Sequence, residues 1–174
     1  MTRVHKIVLA LVLTFGTLAA LFSNPAPASA SGGYDLTLEP EGLFLMPGLT
    51  AAVSNQSDGS GAVVGGELSV VYSDFAWYGF YVDGVYDTHN KAARISFGPE
   101  VGVAFVGFDG GPIIEVGDKT RFGLQGRAVV SLGYVAPYFR AGAVSRDNHN
   151  RAFFESGVLL KVPITLDGEN PFGF

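Results

Sequence analysis

The stretch RISFGPEVGVAF, from Arg94 to Phe105, decides the fold of this chain. Its even-numbered residues are charged or small, and its odd-numbered residues, from Ile95 to Phe105, are bulky and apolar or proline. Successive side chains of a β-strand point to opposite faces, so this alternation predicts a strand with one polar face and one apolar face. The fold then depends on which of the two faces meets the surroundings of the protein.

Residues 1–30 predict a secretory signal peptide. Arg3, His5 and Lys6 give a positively charged start, an apolar run from 7 to 22 follows, and Ala28-Ser29-Ala30 forms a small-residue cleavage site. The apolar run is shorter than the roughly 20 residues that a spanning helix needs, which disfavours the alternative of a retained anchor. We therefore expect cleavage after Ala30, with residues 31–174 forming a single domain.

Composition narrows the class of that domain. The chain has 16 acidic and 11 basic residues and a formal net charge of −5, which argues against a nucleic-acid partner because phosphates require a basic surface. It has no cysteine, so disulfides, thiolate metal sites and a lipid-modified N-terminus are excluded. Glycine and aromatic residues are abundant, and no second long apolar run exists. An exported, apolar chain without a spanning helix indicates a β-barrel.

Eight segments of strand length follow the signal peptide, and each of them alternates. They cover 42–54, 61–73, 77–87, 94–105, 111–117, 121–134, 135–145 and 152–166. No segment shows sustained helical periodicity, and the spacing leaves no room for a crossover helix, so neighbours should pair as antiparallel hairpins. The fifth segment is the least clear, because the turn before it can fall anywhere from 106 to 111. The FDGG sequence at 108–111 is interpreted as a turn.

The connections alternate in character. Those between segments 1 and 2, 3 and 4, 5 and 6, and 7 and 8 are polar: NQSDGSG, THNKAA, GDKT and RDNHNR. The remaining connections are tighter and more apolar. In an up-and-down barrel these two sets lie at opposite ends, and outer-membrane barrels carry short turns at the periplasmic end and longer loops outside.

The bulky faces of the eight segments carry almost no charge. If the opposite faces met water, their glycine, alanine, serine and valine residues would make a surface with too few charges for a soluble protein. We therefore expect the bulky faces to meet lipid and the small and charged residues to fill a narrow lumen. Aromatic residues near strand ends fit membrane interfaces: Tyr72, Trp77, Tyr78, Tyr86 and Tyr134. The alternative is a soluble periplasmic lipocalin-like carrier whose bulky face surrounds an apolar ligand.

This pattern resembles the small eight-stranded outer-membrane barrels of the OmpA-domain and OmpX kind. The resemblance covers the whole region after the signal peptide, in its eight alternating segments, its two sets of connections and its terminal Phe174. It implies an all-β, eight-stranded antiparallel up-and-down transmembrane β-barrel in a bacterial outer membrane. It further implies a monomer that contacts outer-membrane lipid and the insertion machinery, which reads a C-terminal aromatic residue. Phe174 lies eight residues beyond Leu166, where the last segment ends.

With this assignment, nine charged residues point into the lumen: Glu67, Asp83, Arg94, Glu100, Glu115, Arg127, Arg140, Glu155 and Lys161. Unpaired charges there would each cost several kcal/mol, so we expect a network of ion pairs. Strand adjacency suggests Glu155 with Arg140 and Glu115 with Arg127. Glu67 and Lys161 could also meet. Such a network is either a rigid plug or a gate that lets protons or small ions pass, which would make the protein a minor pore.

Residues for catalysis are few. The histidines after the signal peptide are His89 and His149, both in predicted polar connections, where they would lie in solvent. The alternative is that they bind a divalent cation together with Asp87 and Asp147, since imidazole and carboxylate are ordinary ligands. No serine or aspartate lies beside a histidine on one strand face, as a nucleophile activated by a base would require. The sequence therefore predicts a non-enzymatic envelope protein with no cofactor and no metal.

Overall fold

Eight long strands close into an antiparallel up-and-down barrel in a computed structural model, which describes residues 41–146 and 149–166. The strands are β1 (Gly42–Gln56), β2 (Gly59–Ser73), β3 (Ala76–Asp87), β4 (Ala92–Val103), β5 (Val106–Val116), β6 (Thr120–Val130), β7 (Val135–Arg146) and β8 (His149–Lys161). A two-residue strand, β9 (Ile164–Thr165), resumes pairing with β1 after a break at 162–163. No helix long and apolar enough to cross a membrane occurs among these residues.

The barrel closes through β1, which pairs with β2 on one side and with β8 on the other. Every other strand pairs with its neighbours in sequence, always antiparallel. The predicted eight-stranded antiparallel up-and-down barrel is therefore confirmed. The predicted signal peptide, Phe174 and most of the final tail lie outside the described residues.

The orientation of the two faces follows the alternation of the opening stretch. Arg94, Ser96 and Glu100 of β4 are at most 3% exposed, whereas Phe97 and Val101 are 37% and 52% exposed. The same parity holds around the barrel, with apolar side chains outside and the charged side chains inside, together with small residues and clusters of buried apolar side chains. Among the strand residues whose side chains the structure describes, which leaves out Arg146 and His149, no aspartate, glutamate, lysine or arginine lies on the outer face.

The hairpins are tighter than the sequence predicts. At one end of the barrel, here called the loop end, strands are joined by 57–58, 88–91, 117–119 and 147–148. At the other end, the turn end, they are joined by 74–75, 104–105 and 131–134. Part of each predicted polar loop therefore lies in a strand, and the two ends differ more in composition than in length.

The prediction of a turn at 108–111 is wrong, because β5 begins at Val106 and runs through this segment. Its glycines serve a close approach of two strands. A Cβ atom added at Gly111 would lie 1.9 Å from the carbonyl oxygen of Phe97, and one added at Gly98 would lie 2.0 Å from that of Gly110. Glycine is therefore required at both positions by the close approach of β4 and β5.

An apolar cluster fills the turn end of the lumen, here called the apolar plug: Val71, Trp77, Val129, Ala136, Tyr138 and Leu159. Trp77 is 8% exposed, so its predicted place at a membrane interface is wrong. The reason is local, since Trp77 opposes Gly102, which in turn opposes Gly107, and the indole ring occupies the space above both glycines. Its Nε1 donates a hydrogen bond to the carbonyl oxygen of Ala104 at 3.3 Å.

We predict that Gly107→Val destabilises the barrel by about 1–3 kcal/mol, the usual cost of overpacking. A Cβ atom at this position would meet the Trp77 ring at 2.2 Å. The measurement is urea unfolding followed by the fluorescence of Trp77, the only tryptophan of the chain. Gly84→Ala is the control, because a Cβ atom there meets nothing within 4 Å. Equal unfolding midpoints for the two variants would contradict the packing of Trp77 described above.

Candidate functional site: the charged lumen

All nine charged residues predicted to face the lumen lie inside the barrel. Eight of them are at most 3% exposed, and the side chain of Lys161 is 12% exposed. Burial at this level is unusual for ionised side chains unless each has a partner. The arrangement of those partners therefore decides what the lumen can do.

Five charged residues on five consecutive strands form one continuous row across the inner wall. Glu100 of β4 opposes Asp109, Asp109 opposes Arg127, Arg127 opposes Arg140, and Arg140 opposes Glu155 of β8. We call this set the charged row. Directly opposed side chains in antiparallel strands have Cβ atoms about 4.5–5.5 Å apart, so the members of the row interact with one another.

Two ion pairs form between neighbours in the charged row. Arg127 Nε donates to Asp109 Oδ2 at 2.6 Å, and Arg140 Nη1 lies 3.6 Å from Glu155 Oε2. The second is one of the predicted pairs. Asp109 was missed by the sequence analysis because FDGG was interpreted as a turn. The signal for it was the alternation of the segment itself, in which Asp109, Ile113 and Glu115 share one face.

Other pairs cross the lumen. Arg127 Nη1 donates to Glu67 Oε2 at 2.5 Å, although their strands are β6 and β2. Arg94 pairs with Glu155, and Arg140 pairs with Asp83, again between strands that are not neighbours. Such contacts are possible because an eight-stranded barrel is only wide enough for side chains to fill it.

Two arginines of the charged row lie side by side, and their repulsion is offset by aromatic rings as well as carboxylates. The guanidinium carbons of Arg127 and Arg140 lie 5.5 and 5.4 Å from the ring centre of Tyr138. Arg127 also lies 5.3 Å from that of Tyr81. A cation near the face of an aromatic ring is attracted by the ring quadrupole, most strongly where water is excluded. Both tyrosines are therefore part of the site.

Lys161 and Glu67 are brought together by the strand between them. Lys161 Nζ lies 2.7 Å from Glu67 Oε1 and 3.2 Å from Glu100 Oε2, and it donates to Ser69 Oγ at 2.8 Å. Gly48 of β1 opposes both Glu67 and Lys161. A Cβ atom at Gly48 would lie 3.1 Å from Cγ of Lys161, so the missing side chain makes room for the lysine stem.

The predicted pair of Glu115 with Arg127 is wrong. Glu115 opposes Arg121, and its Oε1 accepts a hydrogen bond from Arg121 Nη1 at 3.1 Å. Arg151 of β8 binds its other oxygen. The register of β5 and β6 thus separates Glu115 from Arg127 by six residues along β6. Arg151 was missed because the sequence analysis placed it in a loop.

A set of polar side chains covers the loop end. Asn90 Nδ2 donates to Asp87 Oδ2 at 2.7 Å and to Gln56 Oε1 at 2.8 Å, while Arg151 Nη1 donates to Asn90 Oδ1 at 2.6 Å. Asp87 Oδ1 accepts from the backbone N–H groups of His89 and Asn90, which holds the hairpin turn. We call Gln56, Asp87, Asn90 and Arg151 the polar cap.

The proposed divalent-cation ligands are not assembled in the described residues. Asp87 is committed to the polar cap, and His89 Nε2 lies 3.6 Å from Asp58 Oδ1. No group of three histidine or carboxylate side chains with metal-binding geometry occurs in residues 41–146 and 149–166. Asp147 and the side chain of His149 lie outside the described part of the chain.

The lumen is filled along its length. Starting from the turn end, the apolar plug comes first, then the charged row with its partners, and then a second apolar cluster of Ile113, Val144 and Phe153. The polar cap covers the loop end. Chemically, this arrangement can hold strands together and exclude water, and it offers a series of ionisable groups between the two ends.

Comparisons with known proteins identify no family. No family model matches the chain, and no curated protein sequence matches it. A solved structure described as the crystal structure of Neisserial surface protein A (NspA) is similar over 69% of this chain and 96% of that one, at 12% identity and a TM-score of 0.43. We draw no functional conclusion from a similarity at this level.

We predict that Arg127→Ala destabilises the barrel by about 3–5 kcal/mol, because it leaves Glu67 and Asp109 buried with fewer partners. Unfolding in urea and the temperature at which the folded barrel loses its gel mobility measure the effect. The control is Arg121→Ala, which leaves Glu115 paired with Arg151 and removes a side chain that is 20% exposed. Unchanged stability and unchanged conductance of Arg127→Ala would show that the charged row does not hold the barrel together.

Proposed function

We propose that this chain is a non-enzymatic β-barrel of a bacterial outer membrane, with a plugged lumen and a structural or surface role. The observation that carries the proposal is the outer wall, where every long strand exposes apolar side chains and no described side chain exposes a charge. The charged side chains that the structure describes on the strands point inward instead. A protein in water has the reverse distribution.

Energetics favours lipid around this wall. Phe122, Leu124 and Phe139 are 65%, 68% and 59% exposed, and each forgoes about 1.5–3 kcal/mol if it faces water rather than an apolar medium. A closed barrel satisfies its backbone hydrogen bonds internally, which a membrane requires. The strands have 11–15 residues, enough to cross a bilayer when tilted.

Aromatic residues at the turn end support the same orientation. The rings of Tyr72 and Tyr78 pack 5.6 Å apart, and Tyr134 is 60% exposed near the same end. Tyrosine is enriched where lipid meets water. Because Phe44 pairs with Thr165 at the turn end, both ends of the described chain lie there. That side corresponds to the periplasmic end of known outer-membrane barrels.

The soluble-carrier alternative requires the opposite orientation. A lipocalin-like protein would turn its bulky face inward around an apolar ligand. Here the bulky face is outside, and the inner wall carries buried charges such as Glu67, Arg127 and Arg140. The apolar clusters inside this lumen are packed side chains on either side of the charged row, which a lipid chain would have to cross.

A minor pore is the finer alternative for a membrane barrel. Against it, the apolar plug, the charged row and the polar cap fill successive levels of the lumen. Ion pairs that cross the lumen stabilise the barrel by linking distant strands. We therefore favour a plug over a pore as the role of the nine predicted charges.

The remaining parts of the proposal concern export and assembly. We propose that the signal peptide is cleaved after Ala30, that the insertion machinery assembles the barrel, and that it works as a monomer. The closed ring of strands supports the monomer, because each of the eight long strands that the structure describes already pairs on both sides.

We predict that the full chain, expressed in a Gram-negative host, fractionates with outer membranes and requires detergent for extraction. It should migrate differently on gels with and without heating. Its measured mass should equal that of a chain that begins at Ser31. Ala30→Arg is the matched control, because it should block cleavage while leaving the barrel sequence unchanged. Recovery in the soluble periplasmic fraction would contradict the membrane assignment.

The same purified protein tests the plugged lumen in planar bilayers. We expect no discrete conductance steps at moderate voltages, because buried side chains and ion pairs occupy successive levels of the lumen. Reproducible channel openings by the wild-type protein would instead support the minor-pore alternative.

A further inference from the structure

The charged side chains that the structure describes inside the barrel fall into three groups, and one of these groups is unbalanced. Near the loop end, Asp87 and Glu115 accompany Arg121 and Arg151. In the middle, Asp83 and Glu155 accompany Arg94 and Arg140. In the group closest to the apolar plug, three carboxylates accompany two cations: Glu67, Glu100 and Asp109 with Arg127 and Lys161. This last group carries one excess negative charge.

The excess is located where two carboxylates directly oppose each other. Glu100 and Asp109 are cross-strand partners on the inner wall and are 1% and 8% exposed. One oxygen of each is bound, Glu100 Oε2 by Lys161 at 3.2 Å and Asp109 Oδ2 by Arg127 at 2.6 Å. The other oxygens, Glu100 Oε1 and Asp109 Oδ1, are buried and have no hydrogen-bond partner.

Like charges at this spacing are costly when buried, because little water reaches them to weaken the repulsion. The two cations that bind them, Lys161 and Arg127, are both shared with Glu67. The other like-charged neighbours of the charged row, Arg127 and Arg140, both lie near the Tyr138 ring and bind different carboxylates. For Glu100 and Asp109, one oxygen of each carboxylate has no such partner. A single positive charge between their two unpartnered oxygens would balance the group.

We propose that Glu100 and Asp109 together form a binding site for one small monovalent cation, either a proton or an alkali-metal ion. The chemistry is the same for both, since one positive charge bridges two carboxylate oxygens inside the barrel. The site follows from the fold and the charges alone and does not depend on where the barrel resides. It can therefore fail while the membrane assignment holds, and the reverse is also possible.

The surroundings of the site determine what an experiment must hold constant. The ionisable groups that surround it on other strands are Glu67 of β2, Tyr81 of β3, Arg127 of β6, Tyr138 and Arg140 of β7, and Lys161 of β8. None of these is changed in the variants below. Each variant removes one negative charge and keeps the shape of the side chain.

The test compares Glu100→Gln, Asp109→Asn and the matched control Glu115→Gln in detergent. The control removes a carboxylate whose two oxygens are bound by Arg121 and Arg151, in a balanced group. At neutral pH without alkali salt, we expect the urea concentration at the unfolding midpoint of Glu100→Gln and of Asp109→Asn to equal or exceed that of the wild type. Glu115→Gln should unfold at a lower urea concentration than the wild type.

The wild-type protein distinguishes the two cations. If a proton is bound, the folded state holds one more proton than the unfolded state. Stability then falls as pH rises, by up to about tenfold in the folding equilibrium constant per pH unit. Infrared spectra of the wild type should then show the absorption band of a protonated carboxylic acid, and this band should be absent from Glu100→Gln and Asp109→Asn. If sodium is bound, stability rises with sodium chloride but not with choline chloride, and the acid band is absent.

Glu100→Gln and Asp109→Asn should both lose the dependence of stability on pH or sodium, and Glu115→Gln should keep it. The proposal is overturned if the wild type shows neither a protonated carboxylic acid nor a response to pH or sodium. It is also overturned if Glu115→Gln loses the response to the same extent as the other two variants. The infrared measurement on the wild type does not need the variants, so it still tests the proposal if one of them fails to fold.

Discussion

An ionised side chain inside a barrel this narrow has to be neutralised by another side chain, because little water can reach it. Much of the interior follows from that constraint. Arg127 binds carboxylates on β5 and β2 at once, and Lys161 reaches Glu67 past the missing side chain of Gly48. The ion pairs that cross the lumen connect strands that share no backbone hydrogen bonds. The barrel is thereby held by side chains across its interior as well as by its closed ring of strands.

The same constraint explains the division between the two faces. Because the charged side chains that the structure describes on the strands point inward, the outer wall there consists of apolar side chains and small residues. Neither face would be stable in the opposite environment, since exposed apolar walls aggregate in water and outward charges are costly in lipid. The apolar wall and the paired interior are therefore two consequences of one alternating sequence.

Much of this could be predicted from the sequence, because side-chain alternation is a local property. The strand from Arg94 to Phe105 indicated its own two faces, and the nine inward charges followed from parity. Partners were harder to predict. Glu155 with Arg140 was accessible because the two oppose each other on adjacent strands, whereas Glu115 with Arg127 failed on the register of β5 and β6.

Residues at strand ends and in glycine-rich stretches were the ones missed. Asp109 lies in a segment whose glycines resemble a turn but serve the close approach of β4 and β5. Arg151 lies where a predicted loop is in fact paired strand. Trp77 lies near a strand end, as an interfacial residue would, but two glycines opposite it leave space inside the barrel. In each case the deciding information is the register between strands, which no single segment contains.

The central claim is that the apolar face of each strand meets lipid and the charged face does not. Since the chain has no cysteine, single cysteines can be introduced at Ser96, Phe97 and Val101, spin-labelled, and reconstituted in lipid vesicles. Phe97 and Val101 should be accessible to oxygen, which concentrates in lipid, and inaccessible to a water-soluble nickel reagent. Ser96 should be shielded from both. Access of the nickel reagent to Phe97 and Val101, with oxygen excluded, would contradict the account.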